Sequence, residues 1–239
     1  MSVRNISWRG EGLLPRPLNT GALRYAVLTP ASVNTDSIHH TTGLGLPASA
    51  TVAQEITYIR NMDYYHRTRR GLDAIGYQIM AFASGRVYIT APLDRYGAAV
   101  ALQNNHTISI ALPGDFSTKP PSAGHLAAAA AAVAHVDAYL ARKVVLRPHY
   151  YWNSTAHPWL NTACPGATYP TWAPRLRPTA IYYTVKSGDT AYSIARAHAL
   201  TFARLTALNP KGPIPAPSRP RPWDGNWSRI YPGDRVRVR

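Results

Sequence analysis

Three side chains that lie far apart in the chain have the chemistry of a metal site. His39 stands at the predicted end of a short strand, and His149 follows the β-prone run 143–146. Cys164 is the one cysteine in the sequence and precedes a Pro-Gly turn. Two imidazoles and one thiolate suit Zn²⁺ and leave its fourth position for water. From residue types alone, ordinary scattered histidines remain the alternative.

The second histidine ligand has two candidates. His149 follows a predicted strand but lies fifteen positions before Cys164, whereas His157 lies seven positions before it with no strand leading in. A strand end fixes a ligand more firmly than a loop does, and loops absorb insertions at low cost. We therefore predict that His149 is the ligand and that residues 150–161 form an inserted, aromatic-bearing loop near the site.

Cys164 has two other possible roles. It could be a buried apolar residue, although the neighbouring Pro-Gly turn favours a less deeply buried position. It could also pair with His149 as the nucleophile of a cysteine peptidase. That pairing is disfavoured because nothing in the sequence places Cys164 at a helix N-terminus, where its pKa would fall.

The elements that must position these side chains alternate between helix and strand. Helices are predicted over 52–67, where apolar residues recur on one face, and from Ser122 to about Arg142 in an alanine-rich stretch. Alternating or β-branched runs predict strands at 74–83, 87–90, 106–112 and 143–146. This order predicts an α/β domain in which helices flank a mixed central sheet.

Proline marks the predicted domain boundaries. The proline-rich stretch 165–178 is typical of a semi-rigid tether. We predict a first domain over 1–168 with an N-terminal extension, a linker over 169–180 and a second domain over 181–239. The second domain has the pattern of a small β-α-α-β module, with a proline-rich insertion at 211–225.

Composition narrows the class of protein. The chain has 239 residues, 46% of them hydrophobic, which is enough for a substantial core. Its formal net charge of +15 favours a polyanionic partner such as nucleic acid, anionic lipid or bacterial wall polymer. No apolar run approaches the ~20 residues of a membrane span, and the N-terminus has no signal-peptide pattern. With one cysteine, an intramolecular disulfide is excluded.

Four segments occur in one order along the first domain: SIHHTTG (37–43), GLDAIGYQIMAF (71–82), NHTISIALPGDF (105–116) and TACPG (162–166). Together they resemble the zinc-dependent N-acetylmuramoyl-L-alanine amidases of the peptidoglycan-recognition-protein superfamily, particularly those of phage endolysins. The resemblance covers roughly residues 33 to 168 and implies the mixed α/β fold of that superfamily.

The resemblance also implies roles for individual residues. The zinc-binding histidine of the His-His-Thr segment corresponds to His39, and the cysteine before Pro-Gly corresponds to Cys164. The tyrosine of the Gly-Tyr segment corresponds to Tyr77, whose hydroxyl is expected to stabilise an oxyanion. Thr162 stands where many relatives have lysine and is expected to orient the water or the carbonyl. A zinc-activated water would then cleave the amide between N-acetylmuramic acid and L-alanine.

The second domain carries an independent resemblance. Tyr-x-Val-x-x-Gly-Asp-Thr, Ser-Ile-Ala, Leu-x-x-Leu-Asn-Pro and Pro-Gly-Asp follow one another between residues 182 and 238. They resemble a LysM domain, which implies a shallow groove for N-acetylglucosamine-containing glycan. The residues expected to line or shape that groove are Gly188, Asp189, Thr190, Asn209 and Pro210. For Asp189 and Asn209, capping and turn formation are the alternative role.

These observations predict a bacteriolytic endolysin that acts on the bacterial cell wall. Its partners would be muropeptide and N-acetylglucosamine glycan, its cofactor Zn²⁺ and its state monomeric, made in the host cytoplasm without a signal peptide. The main alternative is a non-catalytic peptidoglycan-recognition protein, but such relatives lack the cysteine ligand that Cys164 supplies here. A nucleic-acid partner has only the net charge in its favour, and we predict none, nor any membrane insertion.

Overall fold

The computed structural model describes residues 3–5, 26–72, 74–177 and 181–238. The chain divides into two compact units after Arg177. Most of the predicted N-terminal extension lies outside the described residues. Within the described part of the chain, no helix is both long enough and apolar enough to cross a bilayer.

The first unit is built around one mixed sheet of six strands. The strand order is β1-β4-β3-β5-β2-β6, and only the β3–β4 pair is antiparallel. The strands are β1 (Val3–Asn5), β2 (Thr35–His40), β3 (Ile79–Ala81), β4 (Val87–Ile89), β5 (Thr107–Leu112) and β6 (Val145–Pro148). The helices of this unit are α1 (Val52–Arg69), α2 (Ala123–Tyr139) and α3 (Tyr169–Trp172).

Strand β2 lies between β5 and β6, and all six of its residues are buried. Parallel pairing sets His39 opposite Ala111 of β5 and Ile38 opposite Pro148 of β6. Because parallel strands end at the same edge, the C-terminal ends of β2 and β6 bring His39 and His149 to one place. The position predicted for both histidines, at a strand end, therefore has a structural basis.

The alanine-rich sequence of α2 lets this helix lie close to the sheet. Its inward face consists largely of small residues, among them Ala128, Ala129 and Ala132, all fully buried. At Gly124, a Cβ atom would lie 1.8 Å from the carbonyl oxygen of Ala83, so only glycine fits there. The mixed α/β fold with helices against a central sheet is confirmed.

Most of the linker predicted over 169–180 is a folded part of the first unit in the structure. Residues 169–172 form α3, and Tyr169, Trp172 and Leu176 are buried in the main core of the first unit. Pro170 and Pro174 occupy the first turns of short helices, where a missing N–H leaves no hydrogen bond unmade. The first unit consequently continues to Arg177, and the predicted boundary at residue 168 comes too early.

The second unit has the predicted β-α-α-β order. Its elements are β7 (Tyr182–Thr184), α4 (Ala191–Ala197), α5 (Phe202–Leu208) and β8 (Arg235–Arg237), with β7 and β8 antiparallel. A small core of its own includes Val185, Ile194, Leu205 and Val236. The insertion 211–225 adds an isolated β-bridge from Ile214 to Arg235.

One buried carboxyl group makes the stability of the first unit sensitive to pH. In the described chain, Oδ1 of Asp36 has no hydrogen-bond partner, and Oδ2 lies 3.4 Å from the Arg177 guanidinium. Burial raises the pKa of Asp36 to about 8, although Arg177 opposes this shift. The folded state therefore holds a proton that the unfolded chain releases near pH 4, so stability falls as pH rises from about 4 to 8.

Asp36→Asn is expected to remove this loss of stability. The amide has nearly the same shape and cannot ionise, so the variant should match the wild type near pH 4 and exceed it at pH 8. Urea unfolding at both pH values measures the difference. Equal dependence of the two proteins on pH would show that Asp36 ionises normally in the fold.

Candidate functional site

His39, His149 and Cys164 converge at the C-terminal edge of the sheet. Their candidate ligand atoms all lie within 4.8 Å of one another. Sγ of Cys164 is 3.9 Å from Nδ1 of His39. Zinc bonds of about 2.3 Å to sulfur and 2.0–2.1 Å to nitrogen place two such ligands less than about 4.4 Å apart. The structure thus brings together the three predicted ligands, whereas the exposed His157 lies outside this group.

The orientation of His39 suits a metal ligand. Its Nε2 is 2.8 Å from the Ser37 hydroxyl oxygen, two residues earlier on the same face of β2, which leaves Nδ1 toward Cys164. Burial, followed by the neighbouring His149 and His40, holds the pKa of His39 well below its ordinary value. Burial likewise lowers the pKa of His149 to about 4. Both imidazoles are therefore neutral at pH 7, as metal ligation requires.

Cys164 is buried, with 7% of its surface exposed, so the expected shallow position beside the Pro-Gly turn is wrong. Its sulfur accepts a hydrogen bond from the His40 backbone N–H at 3.3 Å. Burial nevertheless raises the pKa of the thiol to about 12. A thiol of this kind is a poor nucleophile on its own, which counts against a cysteine peptidase, while a bound cation favours its thiolate.

Tyr77 lies between two imidazoles beside this group. Its ring centroid is 5.3 Å from that of His39 and 5.5 Å from that of His66. Burial raises the pKa of the phenol, so the hydroxyl stays protonated and can donate a hydrogen bond. His66 accepts the Gly76 backbone N–H at Nδ1, which places its own proton on Nε2.

A cavity of about 580 Å³ opens over these side chains. Tyr77, His66 and His149 line it, together with Tyr58 and Arg70. The described lining contains no carboxylate. Burial lowers the pKa of His66 and raises that of Tyr77; the positive charge of Arg70 adds to the first shift and opposes the second, which places its guanidinium close to both. The cavity therefore favours a ligand with negative charge.

Thr162 contributes to the loop that carries the cysteine. Its hydroxyl oxygen accepts the Cys164 backbone N–H at 3.1 Å. The Asn153 side chain accepts the Thr162 N–H at 2.9 Å and donates to its carbonyl at 2.8 Å. These contacts position Cys164 and differ from the predicted role of Thr162 toward water or carbonyl, which stays a prediction.

Sequence reasoning missed some residues of the site. Ser37 could have been found, because residues two apart on a strand share a face. Asn153 gave no local signal, since its partner Thr162 lies nine positions away. The structure also places His66 of α1 in the cavity wall.

In the second unit, two of the predicted groove residues hold the module together. Asp189 accepts the Lys186 N–H at 2.7 Å and the Tyr183 hydroxyl at 2.8 Å. The buried Asn209 amide donates to the Leu205 and Arg237 carbonyls and accepts the Arg237 N–H, each at 2.8 Å. Both residues thus make contacts of the capping and turn-forming kind that was their alternative role, and their part in glycan binding stays a prediction.

The other three predicted groove residues also have local features. Thr190 caps α4 and exchanges hydrogen bonds with Ser193. Gly188 has φ of +84°, which glycine adopts without strain, and no atom lies within 4 Å of where its Cβ would be. Pro210 is exposed. Their part in glycan binding remains a prediction.

Comparison with known proteins gives the fold of the first unit and a family match for the second. The first resembles the solved structure of Drosophila PGRP-LB, with a TM-score of 0.54 and 22% identity over 72% of this chain and 95% of that one. It resembles human PGRP-IβC in complex with glycosamyl muramyl pentapeptide equally well, with a TM-score of 0.54 and 20% identity over 70% and 95%. The first unit has the fold of the peptidoglycan-recognition proteins.

A relative found by sequence is also a peptidoglycan-recognition protein. Peptidoglycan-recognition protein SC2 of Drosophila simulans is 28% identical over 127 residues, which cover 53% of this chain. The match spans 62% of that relative's length. In the second unit, the family model of the LysM domain matches residues 183–216. The chain therefore combines a peptidoglycan-recognition-protein fold with a LysM domain.

The proline-rich insertion is anchored to the LysM domain. The buried Asp234 binds the Arg221 guanidinium at 2.6 Å and accepts the Ala216 N–H at 3.1 Å. Trp223 covers Gly212 and contacts Trp227, which packs against the small core. The insertion is therefore a folded part of this domain.

Proposed function

We propose that the first unit is a zinc-dependent N-acetylmuramoyl-L-alanine amidase and that the LysM domain holds the enzyme to wall glycan. The observation that carries the proposal is the convergence of His39, His149 and Cys164, with His149 in the wall of a large cavity. A recognition protein needs the cavity but not a converging set of two imidazoles and a thiol. The net charge of +15 supports attraction to anionic bacterial envelopes and a bacteriolytic role of the endolysin type.

The residues present fit a zinc ion. His39, His149 and Cys164 would hold it, and Ser37 fixes the ring orientation of His39. Zinc supplies Lewis-acid activation of water and of the amide carbonyl when it is bound. With three protein ligands, of which His149 lies in the cavity wall, the site would suit a catalytic zinc ion, which takes water as its fourth ligand, better than a structural one.

The surrounding side chains act on the substrate. The protonated hydroxyl of Tyr77 donates a hydrogen bond to the oxygen that gains negative charge when the amide carbonyl is attacked. Nε2–H of His66 is a second neutral donor on the same wall. The Arg70 guanidinium attracts the free carboxylates of the wall stem peptide, since it adds a positive charge to the cavity.

Product analysis tests this proposal. Incubated with purified peptidoglycan and zinc, the full chain is expected to release new L-alanine N-termini and lactyl ends on muramic acid, without new reducing sugar ends. A strong chelator should stop the release, and added zinc should restore it. Binding to the wall without any released ends would instead support the non-catalytic recognition protein.

A further inference from the structure

The two-stranded sheet of the LysM domain has an inner face and an outer face. Tyr183 and Val236 are paired across the strands and pack in the small core, to which both helices also supply residues. Successive side chains of a strand point to opposite faces, so the alternate residues form the outer face. These are Tyr182 and Thr184 of β7 and Arg235 and Arg237 of β8. The helices therefore lie on the inner side, away from the outer face.

The proline-rich insertion widens this outer face. The Ile214 N–H donates to the Arg235 carbonyl, and the Ile214 carbonyl accepts the Arg235 N–H, each at 2.8 Å. Directly opposite residues of an antiparallel pair project to the same side, so Ile214 and Thr184 flank Arg235 in one row. The Ile214 side chain is 45% exposed, which agrees with this position. A segment inserted into the domain thus becomes part of the surface.

The outer face is positively charged. Its four strand positions include two arginines and no acidic residue. In the second unit as a whole, the sequence has 10 basic and 3 acidic residues, and other groups engage the acidic ones. These are Asp189, Asp224 and Asp234, which accept hydrogen bonds from Tyr183, Arg229 and Arg221. The outer face therefore favours a ligand with negative charge.

The orientation of Arg235 suits an oxyanion. Its guanidinium lies over the Tyr182 ring, 4.8 Å from the ring centroid. A guanidinium stacked on a ring keeps its N–H groups at its edge, where they can bind two oxygens of one phosphate. Stacking also reduces the side-chain freedom that would be lost on binding. Arg237 follows on the same face, roughly 6–7 Å further along the strand, so the two cations form a row.

A row of cations on a narrow sheet fits a linear chain of phosphates better than a nucleic acid or a membrane. Binding of single-stranded nucleic acid depends on aromatic rings that stack with bases, and the Tyr182 ring is already stacked with Arg235. Interfacial membrane contacts use the broad apolar side of a helix, whereas arginines occupy half of the strand positions on this face.

We propose that the outer face of the LysM sheet binds the phosphodiester groups of an anionic polymer of the bacterial wall. This inference rests on the proposed function, because attachment of the LysM domain to wall glycan brings such a polymer within reach. It gives the insertion 211–225 a role as the third segment of the binding surface. The domain then binds two chemically different components of the wall.

Binding of soluble poly(glycerol phosphate) to the full chain tests the outer face. Titration calorimetry at several salt concentrations gives Kd and its dependence on salt. The double variant Arg235→Gln, Arg237→Gln should bind about tenfold more weakly, and the slope of log Kd against log salt should fall by about 1–2, because two phosphate contacts are lost.

The double variant Arg196→Gln, Arg204→Gln is the matched control. It removes the same charge from α4 and α5, on the other side of the domain, so its affinity should stay within about twofold of the wild type. Circular dichroism should show the same fold for both variants. Equal losses in the two double variants would overturn the proposal, since net charge rather than the outer face would then set the affinity.

The wild-type chain provides tests that do not depend on the folding of variants. With a chelator present, it should bind walls that carry a phosphodiester polymer more tightly than the same walls after acid removal of that polymer. Equal binding to the two preparations would overturn the proposal, as would tighter binding to phosphatidylglycerol vesicles or single-stranded DNA than to poly(glycerol phosphate). A loss confined to the β8 variant, in a chain that releases no L-alanine N-termini, would retain the outer face and refute the amidase.

Discussion

Cys164→Ser is expected to abolish hydrolysis of peptidoglycan and stoichiometric zinc binding. The sulfur lies 3.9 Å from Nδ1 of His39 within the three-ligand group, and a serine hydroxyl is a much weaker ligand for zinc. Even changes in the residues that orient metal ligands cost roughly 10–100-fold, so loss of a ligand should cost more than about 100-fold. Metal analysis after dialysis and the rate of release of L-alanine N-termini measure both effects.

Two variants make this result specific. His149→Ala should lose zinc as Cys164→Ser does, whereas His157→Ala should keep it, because only His149 belongs to the ligand group. Circular dichroism should show the same fold for all three proteins. Full zinc content in Cys164→Ser or in His149→Ala would contradict the proposed metal site.

Trp172→Ala is expected to destabilise the first unit by about 3–5 kcal/mol, the usual cost of removing a large aromatic side chain from a core. The Trp172 side chain is 1% exposed and packs with Tyr169 at a ring distance of 4.9 Å. Urea unfolding followed by circular dichroism measures the loss, and the transition of the LysM domain should stay where it was.

Trp159→Ala serves as the reference. Because the Trp159 side chain is exposed, its removal should lower the free energy of unfolding by no more than about 0.5 kcal/mol. If Trp172→Ala were as mild as this reference, residues 169–176 would be a tether after all. The experiment therefore decides the domain boundary as well as the contribution of one residue.

The elements of the fold could largely be predicted because their patterns are local. The helix predicted over 52–67 is Val52–Arg69, begun by the Thr51 cap, and the strand predicted over 106–112 is Thr107–Leu112. The stretch 165–178 was misassigned because its four prolines suggested an extended chain. Burial of Tyr169 and Trp172 depends on contacts with distant parts of the core, and no local pattern shows such contacts.

In the candidate site, too, local patterns could be predicted and contacts between distant residues could not. The placement of His39 and His149 at strand ends could be predicted, since strand patterns precede both. Their mutual distance could not, because it depends on the parallel register of β2 with β6. The burial of Cys164 was not predicted for a similar reason: the sulfur contacts His39 and His40 of β2, more than 120 positions away, and no pattern near Cys164 shows these contacts.

Two hydrogen bonds between Asn153 and Thr162 close residues 154–161 into a loop whose ends are held together. Because these bonds lie before Cys164 in the chain, residues 154–161 can be replaced by another sequence without moving the cysteine. The number of residues between His149 and Cys164 can therefore differ without displacing the cysteine, because the Asn153–Thr162 pair lies between the rest of the loop and Cys164.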